Sequence, residues 1–206
     1  MKYDQRTVHQ TAVVYLYDPI PLDKVLLDTL KLHFPRVVAI PDQEVILAES
    51  PDLKVTTQIQ TARIEYTDQS GTDFDATNLK LLANLLNIMP PFNLKAYGIN
   101  LHLRAKVSGY ALAGAYAKEA FLADWKTLEG KLGQKIIGSA HRFLYGELTK
   151  YFDVRITPVE LDGELLHFQV HMHKELHLTD WERILDETLA GQAETVKELA
   201  RLEELL

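Results

Sequence analysis

Apolar and polar residues alternate most cleanly where Tyr97, Ile99, Leu101, Leu103, Ala105 and Val107 interleave with Gly98, Asn100, His102, Arg104 and Lys106. Successive side chains of a strand point to opposite faces, so odd positions here are expected in the core and even positions toward water or a ligand. A second alternation sets Phe168, Val170, Met172 and Leu176 against His167, Gln169, His171, His173, Glu175 and His177. Residues 8–17 are β-branched and aromatic on both faces, which suits a strand inside a sheet. Leu22, Val25, Leu26 and Leu30 recur at helical spacing up to Phe34-Pro35. Residues 37–40 and 44–48 read as strand pieces parted by Pro41-Asp42. Residues 53–67 read as one long strand whose apolar phase slips near Gln60-Thr61, where a β-bulge is expected.

Residues 68–75 form a polar loop without the ligand spacing of an EF-hand, and Asp75 is expected to cap the helix that follows. That helix carries Leu79, Leu81, Leu82, Leu85, Leu86 and Ile88 and stops at Pro90-Pro91. Phe121, Trp125, Leu128 and Leu132 support another helix. Ile136, Ile137, Ala140, Phe143, Leu144, Leu148 and Tyr151 predict a second one, weakened by Gly138 and Gly146. Residues 153–160 and 165–177 are expected as a hairpin about Asp162-Gly163, with Val154 opposite Met172 and Ile156 opposite Val170. Thr179 and Glu182 have capping-box spacing, and the helix they open would span about 42 Å if it ran to Leu206.

The predicted class is α+β: antiparallel sheet packed by helices, in a pseudo-duplicated strand–helix–strand–strand–helix order with a long C-terminal helix. The whole chain, 1–206, is expected as a single compact domain with two pseudo-repeat halves, about 7–89 and 94–206. In element order it resembles proteins built of tandem strand–helix–strand–strand modules, such as haem-binding SOUL proteins and bacterial effector-binding domains. No motif accompanies that resemblance, so it implies an architecture and no site residues.

Composition narrows the chemistry. The absence of cysteine excludes disulfides, thiolate metal sites and thiol nucleophiles. With no signal-peptide core and no apolar run of spanning length, a soluble cytoplasmic protein is expected, with no membrane partner. The net charge is −7, and much of it is local: residues 179–206 hold eight acidic and three basic residues. Nucleic acid is therefore set aside, and a protein partner or self-association comes first. The apolar positions Val196, Leu199, Leu202 and Leu206 mark the distal half of the last helix as the expected oligomer interface.

Imidazoles are the concentrated chemistry: four of the eight histidines lie between His167 and His177. His171 and His173 would share a strand face about 7 Å apart, with Glu175 beside them, a candidate metal set. His102 and Arg104 are the candidate ligand-binding pair, Arg104 offering a guanidinium to a carboxylate or phosphate. There is no nucleophile elbow, P-loop or dinucleotide fingerprint; Ser139 and His141 are expected as helix-surface neighbours. No cofactor is specified. The first functional expectation is a non-catalytic binding or assembly protein that oligomerises through its C-terminal helix. The alternatives are a metal-dependent or acid–base enzyme using the His171/His173 face, and a small-molecule receptor with a cleft between the halves.

Overall fold

The computed structural model describes residues 3–71, 76–160 and 162–205, with side chains for 7–71, 77–160 and 162–202. The order begins β1 (Tyr3–Tyr17), α1 (Lys24–His33), β2 (Arg36–Ile40), β3 (Val45–Ser50), β4 (Val55–Gln60), β5 (Arg63–Asp68) and α2 (Ala76–Ile88). It continues β6 (Leu94–Val107), α3 (Ala113–Phe121), α4 (Trp125–Leu132), β7 (His141–Glu147), β8 (Lys150–Pro158), β9 (Leu165–Leu178) and α5 (Trp181–Leu205). All nine strands form one antiparallel sheet in the order β2-β3-β4-β5-β1-β6-β9-β8-β7. In each half the opening strand pairs with the last strand before the closing helix, β1 with β5 and β6 with β9. The halves join where β1 pairs β6, so their seam is a strand pair in mid-sheet.

Local chemistry builds these elements. The Asp23 carboxylate accepts from the Leu26 N–H at 2.9 Å and starts α1, whose Leu26 and Leu30 share the buried stripe. The β2–β3 and β3–β4 loops are both Pro-Asp turns that close on a left-handed residue, Glu44 and Lys54. Odd residues of β1 and β6 and even residues of β8 and β9 make the core face, including Tyr15, Tyr97, Leu103, Val154, Phe168 and Val170. Helices α1, α2, α3 and α5 contribute to that same core, for example through Leu30, Leu85, Tyr116 and Leu199.

Several expectations are corrected. Residues 53–67 are not one bulged strand: Gln60 pairs Arg63, so Thr61-Ala62 is a two-residue turn between β4 and β5. Neither turn residue has a positive φ, so the turn needs no Gly or Asn and leaves no sequence signature. The helix expected over 136–151 is the β7–β8 hairpin, in which Phe143 pairs Val154 and Tyr145 pairs Phe152. Its spacing of apolar residues satisfied the helical period, but Gly146, at φ 118°, sits in the strand against the Lys150 carbonyl. The β8–β9 hairpin does join apolar faces, with Val154 opposite Val170 and Ile156 opposite Phe168, two residues off the expected register. Backbone pairing begins at Val159–Leu165, which makes the connection longer than three residues. Asp75 lies outside the described residues.

The distal half of α5 is not an exposed face. Leu199 is 0% and Leu202 9% exposed, both in the chain's own core, with Val196 packed against it. Leu206 lies outside the described residues. The apparent gap at Gly191 is the point of closest approach: a Cβ there would come within 2.6 Å of Met172 Cε and 2.7 Å of the Tyr97 hydroxyl. Tyr97 donates to the Glu187 carbonyl at 2.9 Å, and Tyr145 donates to the Glu198 carboxylate at 2.8 Å. The helix thus lies along its own sheet as far as β7. No helix among the described residues is long and apolar enough to cross a membrane.

Candidate functional site

Strand register arranges the face opposite the core into rows. One row runs Thr7, Arg104, His167, Thr157 across β1, β6, β9 and β8. The next runs Gln10, His102, Gln169, Arg155, and the one after it Ala12, Asn100, His171, Asp153. Between the first two rows β1 slips register: Val8 pairs Leu103 and Gln10 pairs His102, so His9 is the extra residue of a bulge. The bulge aims His9 at the histidines of the neighbouring strands. Its ring centroid lies 5.9 Å from that of His102 and 5.5 Å from that of His167.

His9, His102 and His167 offer ring nitrogens that all lie within 4.8 Å of one another. His102 Nδ1 and His167 Nε2 are 3.2 Å apart, one ring supplying the N–H and the other the lone pair. His9 Nδ1 is buried with no hydrogen-bond partner among the described residues. Burial, then the nearby charges of His167 and His9, push the His102 imidazole down to about 4. Burial first and Arg104 among the neighbours lower His9 and His167 as well. All three rings therefore favour the neutral form, the one that donates a lone pair. They open on a cavity of about 230 Å³ that Arg104 also lines, closed on the β8 side by Thr157, Pro158 and Val159.

The candidates read from sequence fall into two groups. His102 and Arg104 do reach one cavity. His171, His173 and Glu175 do not converge with a shared focus. The His171 Nδ1–H donates to Asn100 Oδ1 at 2.8 Å, and His173 stacks on Tyr151 at 4.8 Å between centroids. Those two rings stand 6.4 Å apart, and Glu175 comes only within 4.0 Å of His173. His171 is instead a packed group over Gly98, where a Cβ would lie 2.7 Å from its Cε1. His141 is on β7, not a helix, and pairs with Ser139 at 2.7 Å.

His9 is the residue that sequence reasoning missed. Its strand reads as apolar on both faces, and the only signal was the polar pair His9-Gln10 interrupting that pattern. His167 stood in the histidine run but outside the chosen set, because its partners come from two other strands.

No family model matches the chain, and no curated protein matches it. Among solved structures it is similar to Methanococcus jannaschii TBP, at a TM-score of 0.40 and 12% identity, over 93% of this chain and 99% of that one. Beside that neighbour, the expectation that nucleic acid is set aside as a partner is not upheld and is withdrawn. A likeness of this size assigns no partner in its place.

Proposed function

We propose that this protein binds a divalent transition-metal ion of the zinc class through His9, His102 and His167, at the seam of its two halves. The observation that carries the reading is the convergence of three neutral-leaning imidazoles around a buried His9 nitrogen that lacks a partner among the described residues. A buried polar atom left unpaired costs about 1–3 kcal/mol, and a cation accepting its lone pair removes that cost. Imidazole ligands suit zinc, copper, iron and nickel, and three of them leave a position open for a further ligand. With bonds of about 2.1 Å, a tetrahedral ion needs its donors about 3.4 Å apart, and the three nitrogens here lie within 4.8 Å of one another, so binding would draw His9 inward. The 3.2 Å contact between His102 and His167 is already at that distance.

Calorimetric titration of chelator-treated protein with zinc tests this. One tight site per chain is expected, and His9→Ala, His102→Ala and His167→Ala should each weaken it by about tenfold or more. His171→Ala and His173→Ala should leave it unchanged. Equal loss in the last two variants, or no saturable site in the wild type, would overturn the reading.

A further inference from the structure

The metal site leaves two features unused: Arg104 and the small cavity above the histidines. On the same face, Arg63 pairs Glu65, Lys106 pairs Glu164, and Arg142 and Arg155 both hold Asp153. Arg104, on β6 directly opposite His167 of β9, has no carboxylate partner among the described residues. It also lines a second cavity, of about 350 Å³, with Glu160 and Glu164, and Glu164 there is held by Lys106. Among the described residues, a guanidinium without a counter-ion thus adjoins three imidazole nitrogen donors.

Charge decides what would complete such a site. Three imidazoles contribute no negative charge, so a divalent ion bound to them keeps both of its charges, and Arg104 adds a third. Neither thiolate nor carboxylate belongs to the set. An anion is therefore the ligand that neutralises the open position, and its second oxygen matches the planar fork of a guanidinium. Size sets the scale: drug-sized ligands need pockets of about 300–1,000 Å³, and the cavity of about 230 Å³ falls below that range. The Thr157 hydroxyl is a further polar group on its wall, while Pro158 and Val159 limit its extent.

We infer that the seam site is a metal-dependent receptor for a small oxyanion, one oxygen on the metal held by His9, His102 and His167 and another on Arg104. This rests on the metal reading above. The shared ligand chemistry is that of phosphate, hydrogencarbonate or a short carboxylate.

The full-length protein loaded with cobalt(II) provides the test, because the visible spectrum of cobalt reports each change of coordination. Inorganic phosphate, hydrogencarbonate and acetate are titrated separately, which distinguishes the anion classes. At least one should shift the spectrum saturably, and Arg104→Gln should weaken that anion by about tenfold or more, with Arg104→Lys intermediate because it keeps charge but loses the fork. Arg104→Gln should also bind cobalt at least as tightly as the wild type, since a like charge beside the cation is gone. A cobalt-loaded protein indifferent to all three anions overturns the inference while leaving the metal reading standing. So does an anion response that Arg104→Gln does not change. Equal anion affinity without metal overturns the metal dependence, and failure to bind cobalt or zinc overturns both readings.

Discussion

Gly98 and Thr188 show how single residues decide what the sheet can hold. At Gly98 a methyl group would stand 2.7 Å from His171 Cε1 and 3.2 Å from the Met172 carbonyl oxygen, so the glycine makes room for an imidazole lying across its strand. Gly98→Ala is expected to cost about 1–3 kcal/mol, as overpacking usually does, and to disturb the His171–Asn100 hydrogen bond. A urea midpoint together with the His171 imidazole NMR signals checks both effects. At Thr188 the buried Tyr15 hydroxyl finds its side-chain partner at 2.8 Å, while the threonine donates to the Ile184 carbonyl within the helix. Thr188→Val strands that phenol, an expected loss of about 1–3 kcal/mol. Tyr15→Phe added to Thr188→Val should cost less than the two single losses summed, because the orphaned group is then gone as well. A double-mutant cycle in denaturant measures it.

At the scale of elements, α5 changes most from its sequence appearance. Read alone, its distal leucines form a stripe in search of a partner, and the partner is the chain's own core. Leu199→Ala is accordingly expected to cost about 2–5 kcal/mol of folding free energy, independent of protein concentration. A dependence of the unfolding midpoint on concentration that disappears in the variant would sink this account. The β1 bulge is the other decisive element. One extra residue between Val8 and Gln10 turns His9 toward His102, and without it a straight register would place His9 on the core face. Two hairpin turns, Thr61-Ala62 and Leu148-Thr149, carry none of the residues that announce a turn.

For the whole molecule, the buried imidazoles set a pH dependence. Burial lowers His9, His102, His141, His167 and His171 in the folded state, with His102 at about 4. The unfolded chain, with histidines near 6.5, then binds more protons than the native one below that pH. Stability is therefore fully present above about pH 6.5 and lost as pH falls toward the folded values. Asp153, held low first by Arg142, adds a loss of the same sign at more acidic pH, below its unfolded value. Urea midpoints of the metal-free protein should fall steadily from pH 7 to 4.5, and His102→Gln should flatten part of that slope. A flat profile would mean that these rings protonate freely in the native state.

The alternation along β6 and β9 determined by itself that these are half-buried strands, which faces are core, and that imidazoles stand on the other. Amphipathic period and Pro or Gly breaks likewise carried the α+β class, because they are local properties. The candidate site was legible only in part. His102 and Arg104 were named because they share one strand face, whereas His9 and His167 join them across 93 and 65 residues of chain. Only strand pairing and one bulge set that distance. The same holds for α5, whose apolar stripe is a local pattern but whose partner is a tertiary fact. Periodicity encodes which side of an element is apolar, and the sheet order alone decides which polar sides meet.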